Sequence, residues 1–279
     1  MSIDRPSLYE RFLNTDAQSL FRELLQESHL HTHSLFLHPI TRIYLGNSFC
    51  HNLPPQTDRL RFLMEHAYSQ GLSITLVFPY LRQSELDKTH KVLEIISDLP
   101  CELVINDWGL LSLCQEHGLN HPLCMGPLLN RRRKDPRLKW QNGHARFGSL
   151  LAENSLNDPE YLSFLQKQGF SRFEHETCGY PISLPPQGNH SLHLPWYQTN
   201  TSQYCPLHAL CHSGDRRKQT LVSSCEYPCE QLWLGYPSPP AMAGMFNSLF
   251  APDIEALSAP ERISTALSQG VDRLVMEWL

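Results

Sequence analysis

Short apolar runs alternate with amphipathic stretches along most of this chain, and that alternation restricts the fold more than any single motif. Residues 42–46 (Arg42-Ile-Tyr-Leu-Gly46), 74–79, 101–105 and 122–125 read as buried strands. The stretches between them, 57–70, 84–99 and 110–117, carry apolar residues at helical spacing. In the first of these Leu60, Leu63, Met64 and Ala67 share one side, and Gly71 stands just past the end as a stop. Residues 16–27 and 159–168 are further helices, 170–175 and 191–194 further strands. A strand at 231–235, a helix at 260–269 and a closing strand at 271–278 complete the pattern.

Strands separated by helices form βαβ units and a parallel sheet. About eight strand candidates suit a (β/α)8, TIM-barrel-like α/β fold, incomplete in that no helix follows the last strand. The expected organisation is one barrel-like domain over residues 1–279, with a helical lead-in at 1–38. Residues 178–230 are rich in Pro, Ser and Asn and read as long cysteine-bearing loops, a length that usually accompanies function.

Composition narrows the setting. The chain is 41% apolar and 18% charged with a formal net charge of −5, which is globular and argues against nucleic acid as the main partner. No apolar run approaches the ~20 residues of a membrane span, and the charged N-terminal stretch lacks an apolar signal core. A cytoplasmic location is the expectation. There thiols stay reduced, so nine cysteines point to metal or redox chemistry more than to disulfides.

Four of the nine fall within 25 residues: Cys205, Cys211, Cys225 and Cys229. Cys225 and Cys229 have three residues between them, so one turn of chain can bring both sulfurs to a single metal. Thiolates suit Zn²⁺ and iron–sulfur clusters alike. Only one close pair is present, where structural zinc usually has two, which favours a cluster whose ligands come from distant segments. Cys101, Cys114 and Cys124 lie within the strand and helix patterns and read as core; Cys178 opens a loop. Cys50 follows a strand end, where α/β folds place ligand groups.

Three stretches together resemble the collagenase-like peptidase family, U-32, and most of all its ubiquinone-biosynthesis accessory branch. They are Ile43-Tyr-Leu-Gly46 followed by Cys50, Val104-Ile-Asn-Asp-Trp-Gly-Leu-Leu111, and Cys211-x13-Cys225-x3-Cys229. The late stretch Arg262–Leu274 is also similar to a helix–strand unit of the family. The resemblance spans roughly residues 40–278. It implies a barrel-like fold, a [4Fe–4S] cluster on Cys50, Cys211, Cys225 and Cys229, and oxygen-independent hydroxylation. A small anionic or quinone-precursor substrate and a partner subunit of the same family are implied with it. Cys205, in Tyr-Cys-Pro-Leu, resembles a segment of other members and is a rival for Cys50 or Cys211. The family's first barrel strand has no clear counterpart near the N-terminus.

Other signals compete. Arg131, Arg132 and Arg133, in Asn130-Arg-Arg-Arg-Lys-Asp-Pro-Arg137, are candidate substrate-binding cations, or a solvated loop. Asp107 ends a strand and is either a general acid/base or the N-cap of the next helix. His31 and His33 in Ser28-His-Leu-His-Thr-His-Ser34 match the opening of metal-dependent hydrolase barrels, but the companion motifs are missing. A non-catalytic binding module with structural zinc and a peptidase or hydrolase of barrel fold are the alternatives. No serine or metalloprotease motif is present.

Overall fold

The computed structural model describes residues 1–30, 38–53, 57–140, 143–236 and 241–279. His31, His33 and Ser34 lie outside these. The fold class is α/β: helices intervene between eight parallel strands, in the TIM-barrel-like manner expected from the alternation. The chain separates into two compact units, residues 1–123 with Trp278, and residues 124–277 with Leu279.

The first unit opens with a strand that the sequence pattern misses. β1 (Ser2–Ile3) pairs in parallel with β2 (Arg42–Gly46), Ser2 opposite Tyr44 and Ile3 opposite Leu45. Two residues are too few to show a period. The chain start is nevertheless tied down, because the Met1 ammonium donates to the Arg42 carbonyl at 3.1 Å. The lead-in thus contains the first sheet strand, followed by α1 (Pro6–Leu13) and α2 (Ala17–Glu27). Asp16 caps α2 by accepting the Ser19 N–H at 2.9 Å.

α3 (Thr57–Ser69), β3 (Ser73–Val77), α4 (Leu86–Ile96), β4 (Glu102–Ile105) and α5 (Trp108–Glu116) follow. β2, β3 and β4 pair in parallel, Ile43 opposite Ile74 and Leu76 opposite Leu103. Leu60, Leu63, Met64 and Ala67 are all buried, as their spacing requires.

The second unit begins within β5 (Leu123–Met125), then α6 (Pro136–Trp140), α7 (Gly143–Ala152) and α8 (Pro159–Lys167). β6 (Phe170–Glu176) and β7 (Asn189–Leu194) pair in parallel, and β7 pairs in parallel with β12 (Val271–Met276). α10 (Ile254–Ser258) and α11 (Pro260–Ser268) precede β12.

Between β7 and α10 lies a second sheet. β8 (Trp196–Thr201), β11 (Ser248–Pro252), β10 (Met242–Met245) and β9 (Leu234–Tyr236) form it in that order, all antiparallel. α9 (Pro206–Ser213) follows β8. Two expectations change here. Besides the expected strand at 191–194, residues 178–230 contain β8 and α9 and are not simply long loops. The expected strand at 231–235 appears as β9 and joins the antiparallel sheet; β1 supplies the eighth parallel strand instead. Polar alternation in Trp196-Tyr-Gln-Thr-Asn-Thr201 hid β8, whose partner is 50 residues away in sequence at Leu249. Among the described residues no helix is long and apolar enough to cross a membrane.

Candidate functional site

Two features of the second unit carry chemistry: the cysteines on the antiparallel sheet's flank, and a basic cleft beside the loop after β5.

Cys205 is the N-cap of α9. Its sulfur accepts the His208 N–H at 3.3 Å, and its S–H donates to the Phe246 carbonyl at 2.8 Å. Phe246 holds that carbonyl in place from the β10–β11 turn, where its φ is +56°. The same turn grips the chain before Cys205: Asn247 Nδ2 donates to the Ser202 carbonyl at 2.5 Å, and the Ser202 N–H returns to the Asn247 carbonyl at 3.1 Å. Pro206 fixes the first helical φ, and Gly214 at φ +69° ends α9.

Cys211 is exposed on α9. Cys225 accepts the Tyr227 N–H at 3.4 Å. Tyr227 adopts a left-handed φ of +54°, a conformation that costs an L-residue about 1–2 kcal/mol. This turn places Cys229 in a short 3-10 segment, Pro228–Glu230, which packs against α9. Burial raises the Cys205 pKa, His208 and Leu207 N–H groups oppose the rise, and nearby Cys225 and Cys211 add to it. Burial likewise raises Cys225. The four thiols Cys205, Cys211, Cys225 and Cys229 therefore share one region of the second unit, with Cys211 and Cys225 near enough to Cys205 to add to its rise.

Cys50 belongs to the first unit. It is 5% exposed and follows β2, its N–H donating to Asn47 Oδ1 at 2.8 Å. Among the described residues no group of three or more His, Cys, Asp or Glu side chains is set to hold a metal ion. None of the nine cysteines forms a disulfide.

The cleft has a volume of about 1160 Å³. Its wall is the loop after β5, carrying Asn130, Arg131, Arg132 and Lys134, and the start of α6 with Arg137, lined further by Gln198 and Asn200 of β8 with Arg216 and Tyr236. The arginine run divides by role. Arg131 is exposed and lines the cleft. Arg132 is committed to structure: it donates to the carbonyls of Glu176, Tyr180 and Pro181 and lies over the Tyr180 ring at 5.0 Å. Arg133 is exposed, and its carbonyl accepts the Tyr180 hydroxyl. Lys134 pairs with Glu176 and donates to Gln198 Oε1 at 3.2 Å. Arg137 pairs with Asp135 at 2.6 Å and holds that carboxyl below the usual range, against a smaller push from burial. Arg216 sits 5.5 Å over Tyr236. Among the described residues no carboxylate forms an ion pair with Arg131 or Arg132, and Arg216 adds a charge partly offset by the adjacent Asp215, an arrangement suited to anions.

Beneath the cleft, β6 and β7 carry polar groups in period two. His193 is clamped between Glu174 at 2.6 Å and Glu277 at 2.5 Å. Burial alone would lower its pKa, but the two carboxylates outweigh that and raise it to about 10. Arg172 makes a two-pronged pair with Asp272 at 2.6 and 3.0 Å. The charged alternation of Phe170-Ser-Arg-Phe-Glu-His-Glu176 and Asn189-His-Ser-Leu-His-Leu194 was the signal for this interior; an apolar-run search passes over it.

In the first unit, Asp107 caps α5, its Oδ1 accepting the N–H groups of Gly109 at 2.7 Å and Leu110 at 3.3 Å. That is the N-cap of the two roles its position allowed.

No family model matches the chain, and neither the curated proteins nor the solved structures contain a significant match to it.

Proposed function

We propose that this protein is an iron–sulfur protein of the U-32 peptidase-like kind, taking part in oxygen-independent hydroxylation with a partner subunit. The observation that carries the proposal is the gathering of Cys205, Cys211, Cys225 and Cys229 around α9 and the Tyr227 turn. Four thiols are the donor set of a [4Fe–4S] cluster. The backbone N–H groups on the sulfurs of Cys205 and Cys225 suit thiolates, because such bonds persist once the proton is lost to a metal. A cluster held there would supply one-electron transfer. Cys50 is the rival for the fourth place, and the resemblance favours it; the local grouping favours Cys205.

The protein's own residues would do the rest. Arg131 and Arg216 would bind an anionic substrate such as a dicarboxylate, while Arg132 holds the loop that presents Arg131. Gln198 and Asn200 would orient it by hydrogen bonds.

Anaerobic purification with iron, sulfide and zinc assays tests the reading. About four irons and four sulfides per chain are expected. One zinc and no iron would replace it with a structural-zinc module. Comparing Cys50→Ala with Cys205→Ala identifies the fourth ligand by which variant loses iron.

A further inference from the structure

Asn130 lies at the edge of the cleft and is itself buried. From it a single file of hydrogen bonds runs under the cleft. Ser155 Oγ donates to Asn130 Oδ1 at 3.2 Å, and Asn130 Nδ2 meets His175 Nδ1 at 3.2 Å. His175 Nε2 meets His190 Nδ1 at 3.1 Å, and His190 Nε2 meets the Pro185 carbonyl at 2.9 Å.

The far end fixes the direction. A carbonyl can only accept, so His190 carries its proton on Nε2 and presents a bare Nδ1. His175 must then donate from Nε2, and its bare Nδ1 accepts from the Asn130 amide. The Asn130 oxygen is left to accept from Ser155. Ser155 Oγ also accepts the Arg131 N–H at 3.1 Å, and the Ser155 N–H donates to the Arg131 carbonyl at 3.0 Å. The file therefore ends on the backbone of the residue that lines the cleft.

We propose that His175 and His190 are positioning residues for the cleft: as a neutral pair they hold Asn130 and, through Ser155, the backbone of Arg131. This rests on the reading of the cleft as an anion site. Protonating either ring turns a bare nitrogen into a donor that faces another donor, so the file as it stands parts and re-forms only if the Asn130 amide turns over. Acid then weakens anion binding. Plain Coulomb attraction gives the opposite sign, because positive charge added beside a basic cleft strengthens it.

The surroundings favour neutrality. Burial holds His175 well below the ordinary histidine value, with His190, Arg132 and His193 pushing the same way. Burial also lowers His190; its bond to Pro185 and nearby Asp272 oppose the drop, and Arg172 adds to it. Phe173 stacks on His190 at 5.8 Å and brings no charge. Asp135, which lines the cleft, is held below the usual carboxylate range and keeps its charge through mildly acidic pH.

The test uses the full chain and pyrene-1,3,6,8-tetrasulfonate, a fluorescent anion whose charge is constant between pH 4.5 and 8. Anisotropy titrations are expected to show affinity falling by about tenfold or more toward pH 4.5, one unit of differential protonation being tenfold. In His190→Gln, whose amide both accepts and donates without titrating, the fall is expected to flatten. Affinity that rises on acidification in the wild type, or a His190→Gln slope equal to the wild type, overturns the positioning role and leaves the cleft standing as an anion site. No binding at any pH by a folded chain overturns the cleft reading and the positioning role with it. If His190→Gln does not fold, nitrogen NMR of the wild type decides: neutral Nε2–H rings at pH 7 support the file, and a protonated ring at either position contradicts it.

Discussion

The cysteines of the first unit and those around α9 behave as two different materials. Cys50, Cys101 and Cys114 are buried in the parallel framework, and burial raises Cys101 and Cys114 to about 12. At such values they are small hydrophobes. Around α9, Cys211 is exposed, Cys205 and Cys225 are half-buried and Cys229 is buried, with backbone N–H groups aimed at two of the sulfurs. The donor at Cys205 belongs to the N-cap of α9 and the donor at Cys225 to the left-handed Tyr227 turn, whereas in the first unit Cys101 Sγ faces the His121 ring at 3.8 Å. The contrast lies in local backbone geometry, not in residue count.

The largest expected effect sharpens that contrast. Cys225→Ala with Cys229→Ala is expected to remove all iron and leave far-UV circular dichroism intact. Cys101→Ala and Cys114→Ala are expected to keep the iron and each to lose about 1–2 kcal/mol in urea titration, the usual scale for trimming a buried side chain. Iron lost from the core variants, or kept in the double variant, breaks the distinction.

Reactivity follows. In the metal-free protein at pH 8, timed alkylation read by mass spectrometry is expected to mark Cys211 at least about a hundredfold faster than Cys101 or Cys114. Equal rates would mean the two sets share one environment.

The arginine run offers a smaller contrast of the same kind. Arg132→Met strands three carbonyls and is expected to cost about 2–3 kcal/mol. Arg131→Gln is expected to stay within about 0.5 kcal/mol while weakening binding of the tetrasulfonate probe.

The two units also differ in how they use histidine. His51 in the first unit is held down to about 4 by burial and the adjacent Arg82. Its neutral form is the stabilised one, so its contribution is present above about pH 6.5 and is lost as pH falls toward about 4. His193 is raised to about 10, so its contribution is complete below about pH 6.5 and is lost as pH climbs toward about 10. Urea midpoints of His51→Gln and His193→Gln across pH 5–9.5 are expected to converge on the wild type at opposite ends of the range.

Much of this was legible in the sequence because parallel strands buried on both faces write themselves as apolar runs, as Ile43–Leu45 and Leu103–Ile105 do. β1 was illegible because two residues have no period, and β8 because its pairing with β11 is set by tertiary contact. The cysteine grouping was readable from spacing. The cleft was half readable: the arginine run announced it, but only folding separates Arg131, which faces the cleft, from Arg132, which staples the loop to residues 176–181. Arg216, Tyr236 and the histidine file come from segments that no local pattern connects to residue 130.

The central proposal is that the cysteines around α9 are ligands and that Cys101 and Cys114 are not. Its most direct measurement is the visible spectrum of the anaerobically purified chain and of its single Cys→Ala variants. The account expects a brown wild type with broad visible absorbance, lost in Cys225→Ala and Cys229→Ala and kept in Cys101→Ala and Cys114→Ala. A colourless wild type, or a spectrum that survives in both Cys225→Ala and Cys229→Ala, contradicts it.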